Sequence, residues 1–219
     1  MTAVLLVVAK APVAGFAKTR LASSVGARFA ADLAAAALLD TVDSARAVPG
    51  VIVACVLTGE LTAAERADEL TEALRGCVVF PQRGADFAER LVHAHADVAE
   101  RFPGSPVLQV GMDTPQTTTP LLTGALARLR ESDTVLGPAV DGGWWALGLR
   151  RPVDAHVLRA VPMSRPDTGA RTLAALRSVG LRVSTLPMLS DVDTMADAVL
   201  VAGQAPASRF AHAFAAVAR

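Results

Sequence analysis

The sequence has few cysteines and histidines, the residues that build metal clusters and disulfide scaffolds. It contains two cysteines and four histidines in 219 residues. Cys55 and Cys77 lie far apart without a C-x-x-C pair, so neither a disulfide framework nor a zinc ribbon is expected. Their apolar, β-branched surroundings predict buried free thiols. His93 and His95 face different ways on a predicted helix, and the histidines indicate neither a metal triad nor a Ser/His/Asp arrangement.

The sequence also lacks a charge excess and a long hydrophobic run. Lys plus Arg and Asp plus Glu number 21 each, so nucleic-acid binding is not expected and any anion site must be local. The first apolar stretch, residues 4–9, is too short to span a bilayer and has no basic flank before it. We therefore predict no membrane span, no signal peptide and a cytoplasmic location. The length predicts one domain over residues 1–219.

Short β-branched runs alternate with longer Ala- and Leu-rich segments along the chain. We predict strands over residues 4–9, 51–59, 77–82, 106–113, 134–140, 144–149 and 182–189. We predict helices over residues 28–46, 62–75, 86–102, 118–131, 168–180, 194–203 and 206–218, with Thr62 and Asp86 as N-caps. Since the strands are continuously apolar, both faces of the sheet must be covered. The fold class expected is α/β, a mostly parallel sheet flanked by helices.

Three cationic residues follow the first predicted strand in the segment VVAKAPVAGFAKTRLA, residues 7–22. In such folds ligands bind beyond the carboxyl ends of the strands. Lys10, Lys18 and Arg20, spaced by Pro12 and Gly15, can direct positive charge and backbone amides at a diphosphate or triphosphate. The alternative is solvated surface charge. The Walker and dinucleotide-binding glycine motifs are absent from the sequence.

Carboxylates follow two later strands. Asp113 closes a strand and precedes Pro115, which fixes the backbone direction, so Asp113 is a candidate ligand for a divalent cation; a turn or N-cap residue is the alternative. Asp191 and Asp193 stand two residues apart. In an extended segment their side chains project to one side and could share a cation, whereas the alternative is that one of them caps the next helix.

A fourth candidate, Asp141, precedes two glycines in the segment AVDGGWWALGL. The glycines permit either close approach of a substrate to the backbone or a turn into the next strand. Trp144 and Trp145 face opposite sides of an extended segment, so we expect one in the core and the other lining a pocket. The irregular stretch 150–167 is a candidate lid or acceptor loop.

Five motifs together resemble a bacterial family of uncharacterised, glycosyltransferase-like proteins, the domain of unknown function DUF2064. They are K-A-P-x-x-G-x-x-K-T-R-L at 10–21, PQRGADFAERL at 81–91, G-x-D-x-P at 111–115, D-G-G-W at 141–144 and D-V-D-T-x-x-D at 191–197. The resemblance covers nearly the whole chain and is specific only as a set. Ala85, Phe87 and Gln116 depart from the family pattern, which bears on acceptor and base preference.

The resemblance implies a Rossmann-like domain similar to type A glycosyltransferases, the nucleotide-diphospho-sugar transferase fold, and to nucleotidyltransferases. It implies that the cations of the first loop hold phosphates and that Asp113 holds the metal ion. It also implies positions near the nucleotide base or ribose for Gln82 and Asp86, near the acceptor for Asp141, and on the metal or diphosphate for Asp193.

We therefore expect a transferase that uses a nucleotide sugar, a small-molecule acceptor and Mg²⁺ or Mn²⁺. In this hypothesis Lys18 and Arg20 neutralise charge on the departing diphosphate, and Asp141 is a base toward the acceptor hydroxyl. The alternative is nucleotidyl transfer from a nucleoside triphosphate to a phosphorylated small molecule. A third hypothesis is a non-catalytic nucleotide-binding module.

Overall fold

The structure is a computed structural model that describes residues 2–216. Its centre is one seven-stranded sheet with the order β3-β2-β1-β4-β6-β5-β7. The strands are β1 (Ala3–Lys10), β2 (Val51–Thr58), β3 (Val78–Pro81), β4 (Val107–Gly111), β5 (Thr134–Pro138), β6 (Trp144–Leu149) and β7 (Val183–Thr185). Only β6 is antiparallel to its neighbours, so the predicted mostly parallel sheet is confirmed.

Helices cover both faces of this sheet. They are α1 (Thr19–Val25), α2 (Ala27–Arg46), α3 (Ala67–Leu74), α4 (Phe87–Arg101), α5 (Thr119–Glu131), α6 (Thr168–Ser178), α7 (Met195–Gln204) and α8 (Arg209–Ala215), with 3₁₀ segments at Leu61–Ala63 and Pro152–Ala160. No helix within residues 2–216 is both long and apolar enough to cross a membrane.

The alternation of side chains along β1 explains the two cores. Leu5 and Val7 point to one face and pack with the apolar side of α2 and α5. Val4 and Leu6 point to the other face and pack with α4 and the 3₁₀ segment Pro152–Ala160. Every one of these β1 side chains is fully buried. A third cluster, which includes Leu33 and Phe210, joins α2 to the C-terminal helices. A sheet that is buried on both faces follows from continuously apolar strands.

Several predicted boundaries are wrong. The predicted helix 62–75 is a 3₁₀ turn followed by α3, whose first residue follows Arg66 rather than a Thr62 cap. The predicted strand 182–189 ends at Thr185, and its remainder contains Pro187, which cannot donate to a ladder. The last predicted helix begins at Arg209 instead of 206, and its residues 217–218 lie outside the described residues.

The sequence analysis missed two elements. Helix α1 follows directly after the cationic loop. Its N-cap position is Lys18 in a left-handed conformation, and Lys18 forms no side-chain cap from which the start of the helix could be predicted. The stretch 150–167 contains a nine-residue 3₁₀ segment that packs against α4. Asp86 caps α4 as predicted, since its side chain accepts from the Glu89 amide.

Candidate functional site

The functional side chains gather at one edge of the sheet because of its topology. Strands β1 and β4 are parallel, and β4 and β5 run in the same direction because both are antiparallel to β6. All three end at this edge, so Lys10, Asp113 and Asp141 lie there. Because β6 is antiparallel, its first residue, Trp144, lies at the same edge. A backbone bridge between Ala139 and the segment after β7 brings the Asp191–Asp193 stretch alongside.

Lys18 lies at the centre of this edge, between two carboxylates. Its Nζ is 3.0 Å from Asp113 Oδ2 and 3.0 Å from Asp193 Oδ1. The Lys18 side chain is only 8% exposed, whereas those of Asp113 and Asp193 are 39% and 35% exposed. Burial acts to lower the pKa of Lys18, but attraction to the two carboxylates outweighs it and raises the pKa above its usual value. Lys18 is therefore charged and held by the residues predicted to bind a metal ion.

The other two predicted phosphate ligands lie on either side of Lys18. Arg20 Nη1 is 3.3 Å from Asp193 Oδ2, and its side chain is 77% exposed, so most of its guanidinium remains free for a ligand. Lys10 Nζ lies 3.7 Å from the centre of the Phe16 ring, a cation–π contact. Burial and the positive charge of Arg90 lower the pKa of Lys10.

The loop between these cations is a compact turn. The Val13 carbonyl accepts from the Phe16 and Ala17 amides, and Gly15 at its tip has a left-handed φ of 77°. The Pro12 carbonyl accepts from the Glu65 amide, which ties the loop to the segment before α3. Pro12 and Gly15 therefore shape the loop.

Two cavities meet at this edge. The cavity that we call the basic cavity has a volume of about 440 Å³ and is lined by Lys10, Phe16, Lys18 and Arg20. The cavity that we call the tryptophan cavity has a volume of about 410 Å³ and is lined by Trp144, Asp141, Asp191 and Arg165. Their shared lining residues are Arg20, Met112, Asp113, Ser164 and Asp193. The carboxylates that hold Lys18 thus lie where the two cavities join.

Asp141 lines the tryptophan cavity and is fixed by a tight turn. Its Oδ1 accepts from the Gly143 amide at 2.7 Å. Gly142 has a φ of 88°, and its backbone packs so closely on Pro166 that an added Cβ would lie 1.8 Å from the Pro166 oxygen. The Gly142 carbonyl also accepts from the Gly169 amide. The structure supports the turn: the close approach that it shows at the glycine pair is to the protein's own backbone at Pro166, and close approach of a substrate stays a prediction.

The two tryptophans of β6 lie on opposite faces of the sheet, as the alternation of side chains along a strand predicts. Trp145 is buried in the core beside α5 and donates to the Pro187 carbonyl, whereas Trp144 is half-buried and donates to Thr172. Both contribute to the lining of the tryptophan cavity.

Asp193 does not cap α7. Thr194 is the N-cap, and it forms a reciprocal capping box with Asp197. The alternative interpretation of Asp193 as a helix cap is thus wrong, and its carboxylate is free to face Lys18 and Arg20. Asp191 also lines the tryptophan cavity, where burial and the nearby carboxylates of Asp141 and Asp193 raise its pKa to about 6.

Gln82 and Asp86 lie outside the linings of both cavities, as far as residues 2–216 are concerned. Gln82 Nε2 donates to the carbonyls of Ala9 and Val56, so it ties the ends of β1 and β2 together. One carboxylate oxygen of Asp86 accepts a hydrogen bond from the Glu89 amide and so caps α4. The structure thus gives both residues structural contacts.

Sequence reasoning did not identify several residues of the tryptophan cavity, among them Gln109, Ser164 and Arg165. Gln109 is in β4, and its side chain is held by fully buried His95, whose Nε2 lies 2.9 Å from Gln109 Oε1. Ser164 and Arg165 lie in the stretch 150–167. The only signal for them was the irregular composition of that stretch, which identified a candidate acceptor loop without naming a residue.

Asp113 and Asp193 fit a divalent cation in the chemistry of their donors. Both place carboxylate oxygens next to one cationic atom, Lys18 Nζ. Carboxylate oxygens are the hard ligands that Mg²⁺ and Mn²⁺ prefer. Residues 2–216 contain no cluster of three or more His, Cys, Asp or Glu that could hold a metal ion. A two-carboxylate site of this kind is the type that Mg²⁺ completes with water and substrate phosphates.

Comparison with known proteins places the chain in a family and a fold. The sequence model of DUF2064, described as "Uncharacterized protein conserved in bacteria", matches residues 41–165. No curated protein matches the sequence. A crystal structure from Desulfovibrio desulfuricans G20, provisionally named a nucleotide-diphospho-sugar transferase, is 26% identical with a TM-score of 0.86 and covers 98% of this chain and 94% of that one.

Two more distant structures share the fold. One is CMP:2-keto-3-deoxy-manno-octonic acid synthetase complexed with CTP, at 16% identity and a TM-score of 0.57, covering 94% of this chain and 98% of that one. The other is Rv0371c of Mycobacterium tuberculosis H37Rv in complex with manganese, at 21% identity and a TM-score of 0.54, covering 91% and 98%. The Rossmann-like transferase fold implied by the motifs is confirmed.

Proposed function

We propose that this chain, which belongs to the bacterial family DUF2064, is a divalent-cation-dependent transferase that uses a nucleotide-activated donor, a nucleotide sugar. The observation that carries the proposal is the convergence of Lys18 and Arg20 with Asp113 and Asp193 where two cavities join. A donor diphosphate needs positive charge, a cation needs carboxylates, and an acceptor needs a second cavity. The provisional name of the Desulfovibrio structure supports this class of donor.

The donor occupies the basic cavity in this proposal. Lys10, Lys18 and Arg20 bind its phosphates, and the loop shaped by Pro12 and Gly15 forms one wall. The exposed guanidinium of Arg20 suits bidentate contact with a phosphate. Gln82 and Asp86 lie outside the lining of this cavity, so we propose that they contact the base or ribose where the nucleoside extends beyond it, through the Gln82 amide oxygen and the second Asp86 oxygen.

Asp113 and Asp193 hold Mg²⁺ or Mn²⁺. When bound, the cation neutralises charge that develops on the donor diphosphate. Arg20 does the same from the protein's own side, since it lies next to Asp193 at the junction of the cavities. The complex of the Mycobacterium relative with manganese supports the choice of metal.

The acceptor occupies the tryptophan cavity. An acceptor hydroxyl forms the new bond to the anomeric carbon of the sugar, the bond from that carbon to the diphosphate breaks, and the electron pair leaves with the nucleoside diphosphate. Asp141 takes the proton of the attacking hydroxyl. Its carboxylate suits this role because one oxygen is fixed by the Gly143 amide, which leaves the other for the proton.

One observation favours a second candidate, nucleotidyl transfer. Arg20 and Arg165 both line the tryptophan cavity, so this cavity suits a phosphorylated acceptor. Such an acceptor attacks the α-phosphate of a nucleoside triphosphate, and pyrophosphate leaves with the bonding electrons.

Thermal unfolding in the presence of ligands tests these candidates. The purified protein is melted with nucleoside diphosphates, nucleoside triphosphates and nucleotide sugars, each with and without Mn²⁺. A ligand at about 100 times its dissociation constant stabilises the folded state by about 2.7 kcal/mol, which raises Tm by about 5–10 °C for a chain of this size. We expect the largest rise with a nucleotide sugar plus Mn²⁺.

The other outcomes are equally clear. A larger rise with a triphosphate, accompanied by pyrophosphate release, favours nucleotidyl transfer. Binding of a nucleotide without turnover of any donor and acceptor pair favours the non-catalytic module. No rise in Tm with any nucleotide contradicts all three.

We also propose a cytoplasmic location. It is supported by the free state of the two cysteines, of which Cys55 is buried and Cys77 half-buried.

A further inference from the structure

The ammonium group of Lys18 lies at the point where a divalent cation would bridge Asp113 and Asp193. Its Nζ contacts one oxygen of each carboxylate at 3.0 Å. These are the same two carboxylates that the proposed function assigns to the metal ion. The chain therefore supplies its own cation to the site.

The ammonium and a metal ion cannot share this position. A divalent cation bound to the same two oxygens would lie within a few ångströms of Nζ, and like charges at that distance repel strongly. Because Lys18 Nζ lies 3.0 Å from one oxygen of each carboxylate, it must move away from both before an ion can bind these oxygens. Metal binding thus requires Lys18 to leave.

The surroundings of Lys18 provide a place for it to go. Lys18 also lines the basic cavity, together with Lys10 and Arg20. The donor phosphates proposed for that cavity offer oxygens of the same kind as the carboxylates that Lys18 would give up. The backbone of Lys18 is left-handed, with φ 51° and ψ 46°, a conformation uncommon for a residue with a Cβ, and it directs this side chain from the start of α1 to the carboxylates.

We propose that Lys18 sets the order of ligand binding: it occupies the metal position in the free protein and moves to the donor phosphates when the nucleotide binds, so that Mn²⁺ binds tightly only together with a nucleotide. This inference rests on the proposed function for the identity of the second ligand. Exclusion of the metal ion by Lys18 in the free protein does not depend on it.

Calorimetric titration with MnCl₂ alone tests the exclusion. Lys18→Met removes the ammonium and keeps much of the side-chain volume, and we expect it to bind Mn²⁺ at least tenfold more tightly than the wild type. The matched control is Lys10→Met, which removes the same charge from the same cavity; Lys10 contacts Phe16 instead of the carboxylates. We expect the control to bind Mn²⁺ like the wild type.

Two further variants keep the test decisive. Lys18→Asn replaces Lys18 by a residue that adopts the left-handed conformation more readily, and it serves if Lys18→Met does not fold. Because Asp113 and Asp193 are each more than one-third exposed, loss of Lys18 does not leave buried unpaired charges. The double variant Lys18→Met/Asp113→Asn should lose the gained Mn²⁺ affinity, which shows that the ion is at this position.

The titration is then repeated with UDP, GDP, CDP, ADP and dTDP present, because the proposed function does not specify the base of the donor. We expect one of these diphosphates to increase Mn²⁺ affinity more in the wild type than in Lys18→Met. Equal Mn²⁺ affinities of the wild type and Lys18→Met without nucleotide, or an equal gain in Lys10→Met, would overturn the inference. If none of the diphosphates binds to any variant, the proposed function fails, while the comparison in MnCl₂ alone still decides the role of Lys18.

Discussion

Asp113 contacts Lys18 at the junction of the two cavities, and we propose that it takes part in metal-dependent donor binding. Asp113→Asn keeps the shape of the side chain and removes its charge. We expect Mn²⁺-dependent nucleotide binding to fall at least tenfold in calorimetry. The free energy of unfolding should change by only about 1 kcal/mol or less, because the carboxylate is 39% exposed and Lys18 keeps Asp193.

A suitable control for this variant is Asp68→Asn, which removes a carboxylate from the exposed first turn of α3. It should bind nucleotide and Mn²⁺ like the wild type. Unchanged metal affinity in Asp113→Asn would remove Asp113 from the metal site.

His95 makes stability depend on pH. It is fully buried against Gln109, and burial lowers its pKa to about 4 from an ordinary value near 6.5. Between these values the unfolded chain binds a proton that the folded protein does not. The free energy of unfolding should therefore decrease as pH falls from about 6.5 to about 4, by up to about 3 kcal/mol, since each pKa unit corresponds to about 1.36 kcal/mol.

Urea unfolding at several pH values measures this dependence. His95→Asn cannot take up the proton, so its stability should fall less steeply over the same pH range than that of the wild type. His156→Asn, at an exposed position, should retain the wild-type slope. A wild-type slope in His95→Asn would show that another group is responsible.

The turn between β5 and β6 holds Asp141 through its close packing on the loop before α6. Gly142→Ala would place a Cβ 1.8 Å from the Pro166 oxygen in a backbone with φ 88°. We expect it to lower the free energy of unfolding by roughly 2–4 kcal/mol, from overpacking and left-handed strain together. Chemical denaturation provides the measurement.

Gly124 offers the matched control for that turn. It lies within α5, and an added Cβ would meet nothing within 4 Å. Gly124→Ala should therefore raise stability by up to about 1 kcal/mol, because alanine loses less backbone freedom in a helix. Equal effects of the two substitutions would argue against a special constraint at Gly142.

These elements also show how far the sequence predicts the structure. The strand 144–149 was predicted to the residue, because its apolar run is bounded by two glycines on one side and by Arg150 and Arg151 on the other. Helix α1 was missed because it is short and begins after a left-handed lysine. The Lys18–Asp193 pair joins positions 175 apart in the sequence, and no local pattern encodes a contact of that kind. Both residues were predicted to be in the site, but not in contact with each other.

The whole sheet should unfold as one unit. Each of its two cores draws residues from the first and last parts of the chain: one contains Leu5 and Leu186, and the other contains Val4 and Leu176. We expect one calorimetric transition with equal calorimetric and van't Hoff enthalpies, as the prediction of one domain over residues 1–219 requires. Two resolved transitions would contradict it.

The most direct measurement of the central claim is the position of manganese in the protein. Crystals grown with MnCl₂ and a nucleoside diphosphate are examined for anomalous scattering at the manganese edge. We expect one peak within coordination distance of Asp113 and Asp193, with the diphosphate on its other side and Lys18 no longer between the two carboxylates. A manganese peak elsewhere, or a bound diphosphate with Lys18 still between Asp113 and Asp193, would contradict it.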